Sequence, residues 1–219
     1  MRNPFKPYTI QEAKEACKDH LIVRSNVKIA VIDDKGFAVI EGLRKAGFHI
    51  NHYHDIDSVY TIQPYDIVIC DIKGVGKSYG SSFEGAFLMS EIYKNYPSKC
   101  LIAYSGYTFN TQFNEYFSLS DFIVAKTADV SQWVEVLEEA IVFLSNPERQ
   151  WDKMKKYLKE QKVPANVVLD LEKSYAKSIV KKDQGYFKKA ATDGLKKIST
   201  EIVQVVINSI TNAIVNQIK

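Results

Sequence analysis

The sequence predicts an α/β protein: a five-stranded, doubly wound parallel sheet followed by an α-helical module. Three observations predict it. Short apolar runs alternate with amphipathic stretches between residues 27 and 145. Acidic, hydroxyl or ammonium side chains close four of those runs. After Asn146-Pro147 the chain keeps helical periodicity and shows no strand pattern. Repeated strand–helix alternation gives a parallel sheet with helices on both faces, joined by right-handed crossovers.

The elements follow in order. Residues 9–22 form an amphipathic helix, with Thr9 and Glu12 in capping-box spacing. Ile10, Ala13, Ala16, Cys17 and Leu21 share one face, which is expected to pack on the flank of the sheet domain. Strand 27–33 leads to a helix at 36–46, which Gly47 stops. A strand at 48–53 and a short helix at 56–62 precede strand 66–71. A Gly-rich loop, Lys73 to Ser82, enters a helix at 83–95, then strand 100–105, a helix at 109–118 and strand 121–125. The helix at 130–145 carries Trp133, Val136, Leu137, Ala140, Ile141 and Leu144 at helical spacing. Beyond it the pattern gives helices at 148–162, from Pro164 to 182, and at 186–218, the last two separated by Asp183-Gln184-Gly185. The expected domains are an N-terminal helical extension (1–25), the sheet domain (26–146) and a helical C-terminal module (147–219).

Charge is distributed unevenly. Residues 1–147 hold 14 basic and 18 acidic residues, a net of −4, and residues 148–219 hold 15 and 8, a net of +7. The basic residues of the tail are almost all lysines, spread over several helix faces. No compact helix-turn-helix is visible, so sequence-specific nucleic-acid binding is not expected. No run of about 20 uninterrupted apolar residues marks a membrane span, and no signal-peptide core follows Met1. Cys17, Cys70 and Cys100 lack zinc-site spacing, and a reducing, cytoplasmic setting is expected. The final helix puts Ile202, Val203, Val206, Ile207, Ile210, Ala213, Ile214 and Ile218 on one arc and a nearly uncharged amide face opposite, so a homodimer through the C-terminal helices is one expectation.

The strand ends carry the chemistry. Asp33 and Asp34 close Val27–Ile32, Asp71 closes Ile67–Cys70, Ser105 ends Leu101–Tyr104, and Lys126 ends Phe122–Ala125. Ligands of open parallel sheets sit outside the carboxyl ends of the strands, at the switch point. Two carboxylates about 4 Å apart repel by roughly 4 kcal/mol at an effective dielectric near 20, so three on one rim call for a cation. Mg²⁺ beside a phosphate is the cation such carboxylates usually hold. Gly76-Lys77-Ser78 is not a P-loop, because Asp71 stands where its first glycine is required. His20, His49, His52 and His54 form no metal motif.

Residues 27–145 resemble the receiver domain of bacterial two-component response regulators. The resemblance is carried by Val31-Ile32-Asp33-Asp34, Asp66-Ile67-Val68-Ile69-Cys70-Asp71-Ile72, Tyr104-Ser105-Gly106-Tyr107 and Asp121-Phe122-Ile123-Val124-Ala125-Lys126. It implies a flavodoxin-like sheet of order 2-1-3-4-5. It also implies that Asp71 is the phospho-acceptor and that Asp33, Asp34, Asp71 and the backbone carbonyl of Lys73 bind Mg²⁺. Ser105 and Lys126 would contact the phosphoryl group. The implied partner is a histidine kinase or phosphotransfer protein. The implied function is phosphorylation-controlled signalling relayed through the helical module, with no conventional enzyme activity beyond self-phosphorylation from a phosphodonor and autodephosphorylation. The alternative is a phosphorylation-independent pseudo-receiver acting as an interaction module. The sequence departs from the family pattern in three places, and the first two, the long loop and the missing proline, motivate this alternative. The loop after Asp71 is longer, with Glu84-Gly85 in the place of the usual Asp-Gly, and is expected to be a flexible lid. Thr127 stands where a proline usually follows the lysine, and Ile123 occupies the place of the switch aromatic.

Overall fold

The computed structural model describes residues 6–18, 22–106 and 114–218. The chain divides into two compact units: Ile22–Val142, and Met1–Leu21 together with Phe143–Lys219.

The first unit is a five-stranded parallel sheet of β1 (Lys28–Ile32), β2 (His49–Tyr53), β3 (Ile67–Asp71), β4 (Cys100–Ser105) and β5 (Phe122–Ala125), in the order β2-β1-β3-β4-β5. This is the doubly wound, flavodoxin-like order, with its switch point between β1 and β3. The central strands read as continuous apolar runs because both their faces are covered: every residue of β3 and β4 is buried. Edge strand β2 instead alternates, with Ile50 buried and His49 and Asn51 exposed.

Helices α2 (Ile40–Lys45), α3 (Glu84–Asn95), α4 (Asn114–Phe117) and α5 (Val130–Ser145) connect or follow the strands. Gly47 ends α2 at φ +92°, where its N–H bonds the Arg44 carbonyl and the Phe48 N–H reaches back to Leu43. Trp133, Leu137 and Ala140 of α5 are wholly buried, and Trp133 packs with Phe37 and Tyr104 in an aromatic cluster at centroid distances of 5.0–5.6 Å. Two predicted helices come out shorter: residues 36–46 yield only α2, and 56–62 only a 3-10 turn, Val59–Ile62. Of the helix expected over 109–118, the described residues contain α4, and residues 109–113 lie outside them.

The second unit contains α1 (Ile10–Ala16), α6 (Pro147–Glu160), α7 (Ala165–Val180), α8 (Gly185–Gly194) and α9 (Thr200–Ile218). Helix α1 has the expected Thr9–Glu12 capping box, but it packs on α6 and α7 rather than on the sheet. Buried Ala13 and Cys17 face that contact, and the Cys17 thiol donates to the Gln217 carbonyl. Asn146 caps α6 through the N–H groups of Glu148 and Arg149, with Pro147 at the first helical position. The core is an aromatic stack: Trp151 lies on Tyr175 at 5.2 Å, and Phe187 meets both edge-on. The long final helix expected over 186–218 is two helices. Gly194 closes α8, the chain turns inward at fully buried Leu195, and the Ser199 hydroxyl accepts from the Ile202 N–H as α9 begins. Among the described residues no helix is long and apolar enough to cross a membrane.

Candidate functional site

The sheet brings the predicted strand-end residues to one rim. Asp33 remains in the β-ladder through its N–H to the Tyr53 carbonyl (3.0 Å), so it lies at the carboxyl end of β1, beside the switch point. Its carboxylate accepts the Lys35 N–H at 2.8 Å, and the residue is buried. Asp71 is the last residue of β3, pairs in register with Tyr104 and is also buried. Carboxylate oxygens of Asp33, Asp34 and Asp71 lie within 4.8 Å of one another.

Lys126 reaches this group from the end of β5. Its ammonium donates to Asp71 Oδ2 and lies 3.7 Å from Asp33 Oδ2, with the Tyr104 ring 5.1 Å away. Its backbone N–H donates to the Ser105 carbonyl at 3.0 Å. That bond extends the β4–β5 ladder one step past Ser105 and Ala125, so the hydroxyl and the ammonium are set by one backbone register. Ser105 is buried at the end of β4.

One ammonium therefore reaches two of the three carboxylates, Asp71 and Asp33. Burial pushes the Asp71 carboxyl up from its ordinary value. Lys126 and the Lys73 N–H (3.2 Å to Oδ1) pull it back, and the charge of Asp33 pushes it up again. The net shift is upward. Burial disfavours the Lys126 ammonium, but its bond to Asp71 and the charges of Asp71 and Asp33 outweigh that and raise its value. Asp34 Oδ1 is buried and, among the described residues, has no hydrogen-bond partner. A buried carboxylate oxygen without a donor is costly. With three hard oxygen donors converging there, the residues fit a small divalent cation of the Mg²⁺ type.

The loop after Asp71 is not the loose lid expected from its glycines. Val75 is fully buried. The Gly76 and Lys77 N–H groups donate to the Asp55 carboxylate at 2.6 and 3.2 Å, and the Ile56 N–H donates to the same carboxylate at 2.8 Å. The Gly74 N–H donates to Glu84 Oε2 at 2.7 Å. Gly74 sits at φ +87°, and a Cβ there would lie 2.6 Å from the Asp34 carboxylate. Gly85 is needed for space: a Cβ would come within 1.9 Å of the Asp71 carbonyl oxygen. Glu84-Gly85 thus closes against the end of β3.

Asp55 and Glu84 went unnoticed in the sequence as loop anchors. The available signal was the surplus of backbone donors in a glycine-rich loop, which acidic neighbours must satisfy. His52 directs Nε2 to the Asp33 carbonyl (2.9 Å) and meets His54 edge-on, which explains the alternating histidines without a metal. Ile123 is 49% exposed, in the place where the family pattern has an aromatic. Tyr107, the last residue of the Tyr104-Ser105-Gly106-Tyr107 motif, lies outside the described residues.

No family model matches the chain, and no curated protein matches it. Solved structures do. The receiver domain of NtrX from Brucella abortus aligns with 52% of this chain and 97% of its own, at 23% identity and a TM-score of 0.44. A CheY-like response regulator receiver domain protein from Methanospirillum hungatei covers 59% and 98% at 15% identity, also at 0.44. A response regulator from Thermotoga maritima, solved in complex with Mg²⁺ and BeF, covers 52% and 98% at 20% identity and 0.42. The sheet unit is similar to receiver domains. Its fold class rests on its own strand order, β2-β1-β3-β4-β5.

Proposed function

We propose that this protein is a phosphorylation-controlled signalling protein in which Asp71 accepts a phosphoryl group from a histidine kinase or phosphotransfer protein. The observation that carries the reading is the rim itself. Three carboxylates converge there, Lys126 pairs with two of them, Asp71 and Asp33, and one buried Asp34 oxygen has no donor among the described residues. Such a cluster is unfavourable as packing and apt for phosphoryl transfer, which needs positioning and charge neutralisation.

Asp33, Asp34, Asp71 and the Lys73 carbonyl would hold Mg²⁺. When bound, it supplies charge neutralisation for the carboxylates and for the transferring oxygens. The protein's own groups do the rest. Lys73 N–H fixes Asp71 Oδ1, and Lys126 holds Oδ2, so the nucleophile cannot rotate freely. An Asp71 oxygen attacks phosphorus as the donor's P–N bond breaks. The leaving imidazole nitrogen keeps the bonding electrons and takes a proton from solvent. The aspartyl phosphate adds charge and acceptor oxygens. Lys126 exchanges its carboxylate partner for a phosphoryl oxygen, and the Ser105 hydroxyl donates to another. The backbone bond from Lys126 to Ser105 couples those two adjustments. Phosphorylation then biases a two-state equilibrium whose output is relayed through the helical module or its oligomerisation.

The intact acceptor, ammonium and hydroxyl support this reading over a pseudo-receiver that ignores phosphate. Exposed Ile123 leaves the output without the usual aromatic reporter, and the Tyr104–Trp133–Phe37 cluster beside Lys126 is the natural substitute. Trp133 lies 5.6 Å from Tyr104, so tryptophan fluorescence tests the proposal. Acetyl phosphate with Mg²⁺ is expected to change the emission of the wild type and leave Asp71→Asn unchanged. An identical response in both proteins would overturn it.

A further inference from the structure

We infer that Glu84 is a positioning residue for the cation site, acting by fixing the direction of the Lys73 carbonyl. The inference rests on the proposed Mg²⁺ reading of Asp33, Asp34 and Asp71.

The Gly74 N–H and the Lys73 C=O belong to one peptide group. In a trans peptide they point in opposite directions from a rigid plane. Glu84 Oε2 accepts the Gly74 N–H at 2.7 Å, so the carbonyl of that plane is directed away from Glu84. There are no cis peptide bonds among the described residues. The other side of the same segment lies against Asp34, whose carboxylate would be 2.6 Å from a Cβ on Gly74. The peptide is therefore held between Glu84 on its donor side and an acidic rim that has an oxygen without a partner among the described residues.

The backbone at Glu84 is strained in a way that serves this contact. Glu84 has φ +48°, a left-handed conformation that is uncommon outside glycine, asparagine and aspartate. Strain of this kind persists where surrounding contacts over-determine it, and it clusters at functional sites. The contacts here are specific. Gly85 seats the start of α3 on the Asp71 carbonyl, and the Ala86 N–H donates to the Ile72 carbonyl at 3.2 Å. The first turn of α3 is thereby locked to residues 71 and 72, and the Glu84 carboxylate extends the lock to the peptide joining 73 and 74. Asp55 holds the next donors, Gly76 and Lys77, so the 73–74 peptide cannot tip by shifting the loop beyond it.

Two variants separate positioning from charge. Glu84→Gln keeps an acceptor for the Gly74 N–H and removes the negative charge. Glu84→Gly removes the acceptor and is at ease at φ +48°. Mg²⁺ alone is titrated into each full-length protein by calorimetry, and metal-free melting temperatures are measured alongside. Supporting residues around metal ligands typically contribute about 10–100-fold in affinity. The Gly variant is therefore expected to bind Mg²⁺ at least about tenfold more weakly while melting within a few degrees of wild type, and the Gln variant to stay within about threefold of wild type. A Gly variant with wild-type affinity would overturn the inference. So would a Gln variant as weak as the Gly variant, which would reduce Glu84 to a remote charge, or a Gly variant whose metal-free melting collapses, which would make Glu84 a support of the fold. Wild-type protein that binds no Mg²⁺ would instead overturn the underlying site reading.

Discussion

Asp34→Asn should stabilise the metal-free protein and abolish its response to Mg²⁺. Asp34 faces two other carboxylates whose oxygens lie within 4.8 Å, and each such pair repels by about 3.5 kcal/mol at an effective dielectric near 20. Lys126 offsets part of this, but it engages Asp71 and Asp33, not Asp34. Asp34 is half-buried, so solvent screens much of the remainder. The net relief on replacing its charge by an isosteric amide is about 1–2 kcal/mol, a few degrees of melting temperature for a chain of this size. The carboxamide also brings donors to a place where one Asp34 oxygen has no partner among the described residues. Mg²⁺ reverses the order. A ligand at about 100 times its Kd stabilises a folded protein by about 2.7 kcal/mol, and the variant forgoes that gain. Urea unfolding followed by tryptophan emission, in chelator and in excess Mg²⁺, gives the four stabilities required. The variant is expected to be more stable than wild type in chelator and less stable in Mg²⁺. A variant that is less stable in chelator, or equally stabilised by Mg²⁺, would refute the reasoning.

Other expectations follow from single contacts. Lys162 and Lys182 sit at φ +58° and +52°, each just past a helix whose closing bonds reach back from the following residue (Val163 to Leu158, Asp183 to Ser178). Replacing either by glycine relieves a clash of about 1–2 kcal/mol and adds unfolded-state freedom, for a net gain of about 0.5–1 kcal/mol per site in thermal or urea melts. Gly85→Ala drives a methyl into the Asp71 carbonyl and should destabilise by about 2–3 kcal/mol while weakening Mg²⁺ binding, measured on the same titrations. Lys99 is buried, donates to the Gln63 and Tyr65 carbonyls, and has its value lowered from 10.5 to about 8, chiefly by desolvation. The folded state then loses this proton near pH 8 while the unfolded chain keeps it to about 10.5, so stability rises between those values, by about 3 kcal/mol from this group. Urea melts across that window should show the rise in wild type and its loss in Lys99→Met.

The parts of this protein legible in the sequence are those fixed by periodicity and by strand ends. The runs at 27–33, 66–71 and 100–105 are apolar on both faces because their strands are central, and the polar residue ending each one lies on the ligand rim for the same reason. Asp33, Asp34, Asp71 and Ser105 are therefore legible one strand at a time, without the register that brings them together, and Lys126 is legible as the residue that ends edge strand β5. The loop was not. Glycines at 74, 76 and 80 adopt positive φ, which reads as mobility in sequence, yet Asp55 and Glu84 satisfy the loop's donors from 21 and 10 residues away. The partner of a backbone N–H is a tertiary fact that local composition does not encode. The split between α8 and α9 was hidden similarly. Gly194 is a mild helix breaker, and what ends the helix there is the burial of Leu195. The packing of α1 on α6 and α7 depends on Ala13 and Cys17, an apolar face that would serve equally well against a sheet.

The central claim is that Asp71 is the phospho-acceptor. Intact-mass spectrometry after incubation with acetyl phosphate and Mg²⁺ tests it most directly, on wild type and on Asp71→Asn. The account predicts one added phosphoryl group on the wild type, dependent on Mg²⁺, and none on the variant. An unmodified wild type, or equal modification of the variant, would contradict it.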